Sequence, residues 1–342
     1  MAIGSIERLS VVIPCRNEEA YIGACLDSLM AADPGGAQLT IIVCDGMSDD
    51  RTREVVRERA AHRTNILLID NPQRTTPFAL NIGLEAVPFD LGMILGAHAE
   101  VDVDYLRVCM DALRTDPTIG CAGGVLTNVY GNAASRCIGM AMAHTFGVGG
   151  ARFRTGGKAG YVDTVAFGVY RREVFEKVGW FDEELVRNQD DELSYRITKA
   201  GYRIKLLPAA TAQYHVRASY AKLYKQYRQY GYWKVYVSVK HRAVTTVRQV
   251  VPSLWVSYAI VGGIAAMFLP LLRLPYTAGV VMYALASVMA AVHAAQGSKD
   301  TIGVLRAFWI LHAAYGIGYL DGILHFVILG RRPSRSSSVL TR

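Results

Sequence analysis

No cysteine occurs after Cys137, and the six present, Cys15, Cys25, Cys44, Cys109, Cys121 and Cys137, include no CxxC pair. Without a CxxC pair, and with several of the cysteines in apolar segments, reduced core thiols are expected. The chain also lacks zinc-finger spacing, an internal repeat, a low-complexity tract and a flexible linker. Its formal net charge of +8 is therefore not read as a nucleic-acid signal. No cleavable leader is expected, because residues 1–9 run straight into a strand-like segment, and the front of the chain is expected to stay in the cytoplasm.

What is present is uneven. The 342 residues allow one large domain and a smaller appendage, and most of the apolar excess lies beyond Val250. In the front part, short β-branched runs at 9–14, 39–44, 66–69 and 91–95 alternate with helical periodicity after Asn17, at 52–60, at 77–86 and at 103–113. Asn17 is placed to cap the first of these helices. The glycine-rich middle, 120–208, carries a strand over 163–170, a helix over 190–200 and a last strand over 202–207. Such alternation predicts an α/β fold with a mostly parallel sheet covered on both faces. Ligands then sit beyond the carboxyl ends of the strands, near Pro14 to Glu18, Asp45 to Asp49 and Gly96 to Asp104.

Residues 214–250 interleave Tyr220, Tyr224, Tyr227, Tyr230, Tyr232 and Trp233 with Lys222, Lys225, Arg228 and Lys234, a pattern suited to a membrane interface or to packing of one large helix. Three apolar stretches follow, 251–272, 276–296 and 304–329, each reaching the ~20 residues that cross hydrocarbon. Asp321, His312 and His325 weaken a simple third span, which leaves open a hairpin turning near Gly316 or Gly322. The expected organisation is 1–213 as the first domain, 214–250 as an interfacial segment, 251–330 as membrane-associated helices and 331–342 as a basic tail.

Three polar groups interrupt the pattern at strand or helix ends. Asp45, followed by Gly46 and Ser48, can accept from a base or sugar hydroxyl, or simply form an Asx turn. His98, Glu100 and Asp102 can hold a divalent ion completed by diphosphate oxygens, although Asp102 or Asp104 can instead cap the following helix. Gln189-Asp190-Asp191-Glu192 opens a helix whose free backbone donors favour carboxylate anions, one of which can remove a proton.

Taken in order, Val11-Val12-Ile13-Pro14-Cys15-Arg16-Asn17-Glu18, Asp45-Gly46-Met47-Ser48-Asp49-Asp50 and Asn188-Gln189-Asp190-Asp191-Glu192-Leu193 resemble the family 2 glycosyltransferases. Gly96-Ala97-His98-Ala99, Val162 to Gly168 and Gln226 to Lys234 are similar to the membrane-associated exopolysaccharide glucosyltransferases within that family. The resemblance implies a GT-A-type nucleotide-sugar fold and an inverting hexosyltransferase. Pro14, Arg16, Glu18, Asp45, Ala97 and Asp163 would serve the nucleotide sugar, with Asp190 as catalytic base. It implies Mg2+ or Mn2+, a UDP-sugar or other nucleotide-sugar donor, membrane lipids and a lipid-linked glycan acceptor near Asp191, Gln226, Arg228, Tyr230 and Trp233. It also implies a multi-pass protein of the cell membrane with its catalytic domain facing the cytoplasm. The departure is Gly96, where the family usually has an aspartate ligand, so the ion would rest on His98 with Glu100 or Asp102. Sugar transfer directly to polyisoprenyl phosphate and a catalytically silent membrane scaffold are the alternatives.

Overall fold

Val11, Val12 and Ile13 are consecutive and completely buried, so the strand that carries them needs apolar cover on both faces. The computed structural model, which describes residues 7–244 and 247–333, supplies that cover. Most of the tail expected over 331–342 lies outside the described residues. Two compact units are present, one formed by Met1–Asn128 with Arg152–His215 and the other by Val129–Ala151 with Val216–Arg342. The second unit thus takes a middle segment that the sequence had grouped with the front.

The first unit is an α/β layer structure around β1 (Arg8–Cys15), β2 (Gln38–Asp45), β3 (Ile66–Asp70), β4 (Leu91–Ile94), β5 (Ala99–Val101), β6 (Ile119–Val129), β7 (Gly160–Val162), β8 (Ala166–Arg171) and β9 (Arg203–His215). The sheet order is β3-β2-β1-β4-β8-β6-β9-β5, with β7 also on β9. The expected parallel arrangement is the block β3-β2-β1-β4. β8 then runs antiparallel to β4, which brings the start of β8 to the carboxyl end of β4. Side chains alternate across the block with period two. Val11, Ile13, Ile41 and Val43 join Leu26, Leu29, Leu106 and Leu113 on one face, whereas Val12, Ile42 and Cys44 join Leu80, Leu84, Phe175 and Leu193 on the other.

Three local expectations are corrected. The strand expected over 163–170 begins only at Ala166, as β8, and Asp163–Val165 separate it from the unexpected short strand β7. Asn17 does not cap the first helix, which begins at Ile22 after Tyr21, because Asn17 adopts a left-handed φ of 54° and bonds elsewhere. β6, in the glycine-rich middle and containing Gly120, Gly123 and Gly124, is not among the expected strands. Gly124 is needed there because a Cβ would overlap the Ala210 carbonyl.

In the second unit, Tyr220–His241 is one helix, capped by the Ser219 hydroxyl, which accepts from the Lys222 N–H. It crosses the helix Ser298–Gly322 at small residues: a Cβ at Gly231 would overlap the Tyr315 carbonyl, and one at Gly318 the Arg228 carbonyl. Gly316 and Gly322 therefore serve close packing, and the chain continues helically to Ile328 with no hairpin at either. His312 and Asp321 of this segment have partners. The Tyr283 hydroxyl lies 2.9 Å from His312 Nδ1, His312 Nε2 lies 2.7 Å from the Phe146 carbonyl oxygen, and Arg228 pairs with Asp321 at 2.7 Å. Arg248–Phe268, Pro270–Ala294 and Ser298–Ile328 are each long and apolar enough to cross a membrane.

The helix Thr76–Glu85 is seated on β1 and β2 through Gly83, where a Cβ would overlap Val12 and press on Cys44. Gly83→Leu is expected to cost about 1–3 kcal/mol by overpacking. Urea unfolding of the purified chain measures this; a midpoint equal to that of the unaltered protein would show that the helix is not so seated.

Candidate functional site

The carboxyl ends of β1 and β2 lie side by side, with Cys15 opposite Asp45, and the loops beyond them are tied together. Asn17 donates its N–H to Ser48 Oγ at 2.9 Å and its side-chain amide to Asp49 Oδ1 at 2.7 Å, and the Glu18 N–H donates to Thr52 Oγ1 at 2.8 Å. Gly46 sits beneath Arg16, since a Cβ there would stand 3.2 Å from the Arg16 Cβ. Asp50 accepts from the Thr52 and Glu19 N–H groups. Partial burial pushes its carboxyl pKa up, but these hydrogen bonds outweigh that and hold it below the ordinary value.

Asp45 has no solvent exposure. Its carboxylate accepts from the Ser48 hydroxyl and N–H and from Arg53 Nη1 at 2.8 Å, and the same guanidinium nitrogen reaches Asp70 at 2.7 Å. A buried carboxylate requires such donors. Arg53 was not singled out from the sequence, where it is one of several arginines on a charged helix; only the pairing of β2 with β3 puts Asp45 and Asp70 within its reach.

Beyond β4, His98 Nδ1 lies 3.6 Å from Glu18 Oε1. The other two expected metal ligands go elsewhere. Glu100 pairs with His215 Nε2 at 3.1 Å, and Asp102 accepts from the Thr211 hydroxyl, because β5 lies against β9 in the register that sets them opposite. Among the described residues no three His, Cys, Asp or Glu side chains form a metal-holding group. Glu18 does offer a carboxylate, with the His98 imidazole beside it, and magnesium commonly takes one or two carboxylates with the remainder from phosphate and water. An ion completed by a diphosphate therefore fits this pair, whereas the expected trio does not gather. Ala97 is buried, with its methyl in the core, so its contribution to a ligand would be through its backbone.

The antiparallel pairing of β8 with β4 sets Phe167 beside Gly96: a Cβ on Gly96 would meet the Phe167 ring at 3.5 Å. Asp163 is exposed just before β8, at this same edge. The helix Gln189–Lys199 is tied here by Ser194 Oγ, 3.3 Å from Thr164 Oγ1. Asp190 is exposed in its first turn and Asp191 is half-buried. Burial raises the Tyr170 hydroxyl well above its ordinary range, and nearby Cys121 and the Asp190 carboxylate raise it further. Glu192 has a different part: it is buried and paired at 2.8 Å with Arg196, which also donates to the carbonyls of Val178, Gly179 and Trp180. Asp45, Glu18, His98, Asp163 and Asp190 thus share one sheet edge.

Sequence reasoning also missed the aromatic support of this edge. The Tyr214 ring lies 5.5 Å from that of His98, Arg154 stands 5.0 Å over Tyr214, and the Tyr21 ring is 5.0 Å from that of His215. Their spacing in the chain carries no signal, because β9 joins them only after folding.

The residues expected near an acceptor belong to the second unit. Trp233 is 1% exposed and packs with Tyr232, Tyr236 and Phe326, so it fixes its helix and presents no open face. Gln226 is also buried and donates to the Tyr230 hydroxyl at 2.8 Å, while Arg228 is exposed and paired with Asp321.

Comparison with known proteins gives the family and the fold of the chain. The profile described as Glycosyl transferase family 2 matches residues 10–179. Succinoglycan biosynthesis protein ExoA of Rhizobium meliloti (strain 1021) is 31% identical over 324 residues, covering 92% of this chain and 95% of ExoA. A dolichyl N-acetyl-alpha-D-glucosaminyl phosphate 3-beta-D-2,3-diacetamido-2,3-dideoxy-beta-D-glucuronosyltransferase of Methanococcus voltae is 28% identical over 230 residues, 65% of this chain and 71% of that protein. Among solved structures, mannosyltransferase PcManGT from Pyrobaculum calidifontis, in complex with GDP-Man and Mn2+, has a TM-score of 0.58 at 21% identity over 94% of this chain and 88% of its own. That likeness shows the GT-A fold.

The depressed Asp50 pKa gives a pH dependence. A carboxyl held low in the folded chain contributes stability that is present above its ordinary value of 3.8 and lost as the pH falls through the folded value. Asp50→Asn is expected to be less stable than the unaltered chain at pH 7, with the difference shrinking below about pH 4. Unfolding midpoints of both proteins across pH 3–7 check this; a gap independent of pH would remove the assignment.

Proposed function

The chain belongs to glycosyl transferase family 2, and on that premise we propose that it transfers a sugar from a nucleoside-diphosphate sugar to a lipid-linked saccharide acceptor in exopolysaccharide or cell-envelope glycan synthesis. The observation that carries this reading is the gathering of Asp45, Glu18, His98, Asp163 and Asp190 at the carboxyl edge of the parallel block, where ligands of open α/β sheets bind. Asp45 and the Arg16–Glu18 loop hold the nucleotide. Asp163 and the Gly96–His98 turn face the donor sugar and its diphosphate.

Asp190 acts as general base. It takes the proton of an acceptor hydroxyl, whose oxygen forms a bond to the anomeric carbon as the bond to the diphosphate oxygen breaks. The bonding pair leaves with the nucleoside diphosphate, and attack from the opposite side inverts the anomeric centre. Asp190 is exposed to solvent, and its place in the first helical turn sets it near backbone N–H groups that favour an anion. Holding the hydroxyl and anomeric carbon in line accounts for much of the rate. When bound, magnesium or manganese supplies positive charge beside the diphosphate, with His98 and Glu18 as its protein donors.

The lipid-linked acceptor and a multi-pass place in the cell membrane, catalytic unit toward the cytoplasm, are supported by three membrane-length helices and by the exposed Lys222, Lys225 and Arg228 on the preceding helix. They are further supported by the relatives, since ExoA is named for succinoglycan biosynthesis and the Methanococcus voltae protein for a dolichyl-linked sugar.

Asp190→Asn is expected to lower turnover by about 10²–10⁴-fold while nucleoside diphosphate affinity stays unchanged. A donor screen in membranes with lipid-linked acceptors measures the first, and calorimetry the second. Undiminished turnover in this variant would refute the base, and no turnover with any nucleotide sugar in the unaltered chain would favour a silent scaffold. Gly96→Asp is expected to lower the Mn2+ concentration needed for half-maximal nucleoside diphosphate binding, because the new side chain meets only ordinary contacts, at 3.5 Å and 3.9 Å, and stands beside His98. An unchanged Mn2+ requirement would place the ion away from His98.

A further inference from the structure

The three membrane-length helices differ in what lies beside them. Arg248–Phe268 and Pro270–Ala294 are the limbs of a hairpin, joined through Leu269. The limbs lock together: the Tyr258 hydroxyl donates to the Pro275 and Tyr276 carbonyls at 3.0 Å, and the Tyr276 hydroxyl donates to the Ala259 carbonyl at 3.1 Å. At the turn, Arg273 folds back to donate to the Ala266 carbonyl at 3.2 Å, while Met267, Phe268, Leu271 and Leu274 are exposed. An apolar turn whose carbonyls find donors within the protein suits hydrocarbon. A hairpin returns the chain to the side it left, so Ser298–Ile328 decides on which side the carboxyl end lies.

Ser298–Ile328 runs parallel to Tyr220–His241 along almost the whole length of that helix. The Tyr220 hydroxyl donates to the Gly303 carbonyl at 3.1 Å, Arg228 pairs with Asp321, a Cβ on Gly322 would stand 2.8 Å from the Tyr232 carbonyl oxygen, and the Phe326 and Tyr236 rings are 4.9 Å apart. Whatever depth one helix takes, the other shares. Tyr220–His241 is a poor companion for a crossing, because Lys222, Lys225 and Arg228 are exposed toward its start and Lys240 at its end. Residues 229–239, between those charges, reach about 17 Å at 1.5 Å per residue, against ~30 Å of hydrocarbon. Lys234 within that stretch is buried.

The apolar helix is itself interrupted. Asp300 is paired with Arg136 at 3.0 Å, Arg306 stands 4.5 Å over the Tyr220 ring, and the stretch 307–320, free of Asp, Glu, Lys and Arg, spans about 21 Å. More of this helix is covered by protein than of either limb of the hairpin. It meets the hairpin toward the open end, where a Cβ on Gly316 would overlap the Pro252 carbonyl and Trp309 Nε1 donates to Ser287 Oγ at 3.0 Å. Ile302, Trp309, Ile317 and Leu324 are left exposed along it.

We infer that Ser298–Ile328 does not cross the bilayer but lies along its cytoplasmic face together with Tyr220–His241, so that the carboxyl end of the chain stays in the cytoplasm. The inference rests on the membrane placement read above, and the hairpin then carries the multi-pass character. Ile302, Trp309, Ile317 and Leu324 sink between the headgroups as the apolar face of an interfacial helix. Lys222, Lys225 and Arg228 stay within reach of water and lipid phosphate, and Arg331 and Arg332 lie on the side where basic residues gather.

The test uses the full chain in sealed membrane vesicles of both orientations and a membrane-impermeant maleimide. The six native cysteines are buried, so labelling reports on Lys225→Cys and Arg332→Cys. Both should react from the cytoplasmic face and neither from the opposite face. Nitroxide labels on Ile302→Cys, Ile317→Cys and Leu324→Cys, in vesicles of phosphatidylglycerol and phosphatidylcholine, should share one shallow depth. A crossing helix would instead separate the first and last by about 33 Å at 1.5 Å per residue. Reaction of Arg332→Cys from the opposite face, or depths graded along the helix, overturns the inference and leaves the transferase reading standing. Reaction of Lys225→Cys from the opposite face alone removes the cytoplasmic placement as well.

Discussion

A carboxylate with no exposure to water, Asp45, sits at the end of a fully buried strand, and the surrounding loops are arranged to keep it tolerable. An ion of this kind is stable inside a protein only if its oxygens are matched by donors. Ser48 and Arg53 supply them, and supplying them bends the 46–52 loop back over β2 and draws the first turn of the helix Thr52–Ala60 against Asp70. Once that loop is fixed, Asn17 and Glu18 can bond to it, and the β1 loop takes its shape from the β2 loop. The site is therefore one connected hydrogen-bonded object, in which a change at Arg53 reaches Glu18 through several bonds.

The second constraint is the reversal at β8. Three parallel pairings would leave the edge beyond β4 open, with His98 supported from one side. Because β8 runs against β4, its leading residues return to the edge where β4 ends, and Thr164 there anchors the helix that carries Asp190. A proton acceptor is thus brought to the carboxylate and imidazole groups by a strand direction. The same pairing creates the ring contact at Gly96, where a glycine leaves the space beside His98 open.

In the second unit the governing quantity is closeness of approach. Gly231, Gly316, Gly318 and Gly322 let helices meet at backbone distance, which favours dispersion contacts where apolar surroundings remove any gain from hydrophobic burial. The tyrosines and Trp233 of Tyr220–His241 then fill the space beside Phe326, and the ionisable Asp321 is answered by Arg228. A segment that looks in sequence like an interfacial face of aromatic and basic residues is in part a packed seam.

By itself the sequence determined the parallel α/β block, the helix bounds at 52–60, the three apolar stretches and the motifs of the sugar-transferring family, because period-two burial, helical periodicity and strand-end polarity are local properties of the chain. It marked Asp45, His98 and Asp190 for the same reason. The tertiary structure decided which acids stand together. Glu100 and Asp102 lie two and four residues from His98, yet their strand turns them to His215 and Thr211, while Glu18, eighty residues away, comes within 3.6 Å. β6 was illegible because Gly124 is selected by the approach of β9 and Gly123 by that of Val165 and Ala166, and Arg53 and Tyr214 because their significance lies in partners contributed by other strands. Periodicity records which face a residue turns inward; only strand order and register record what it meets there.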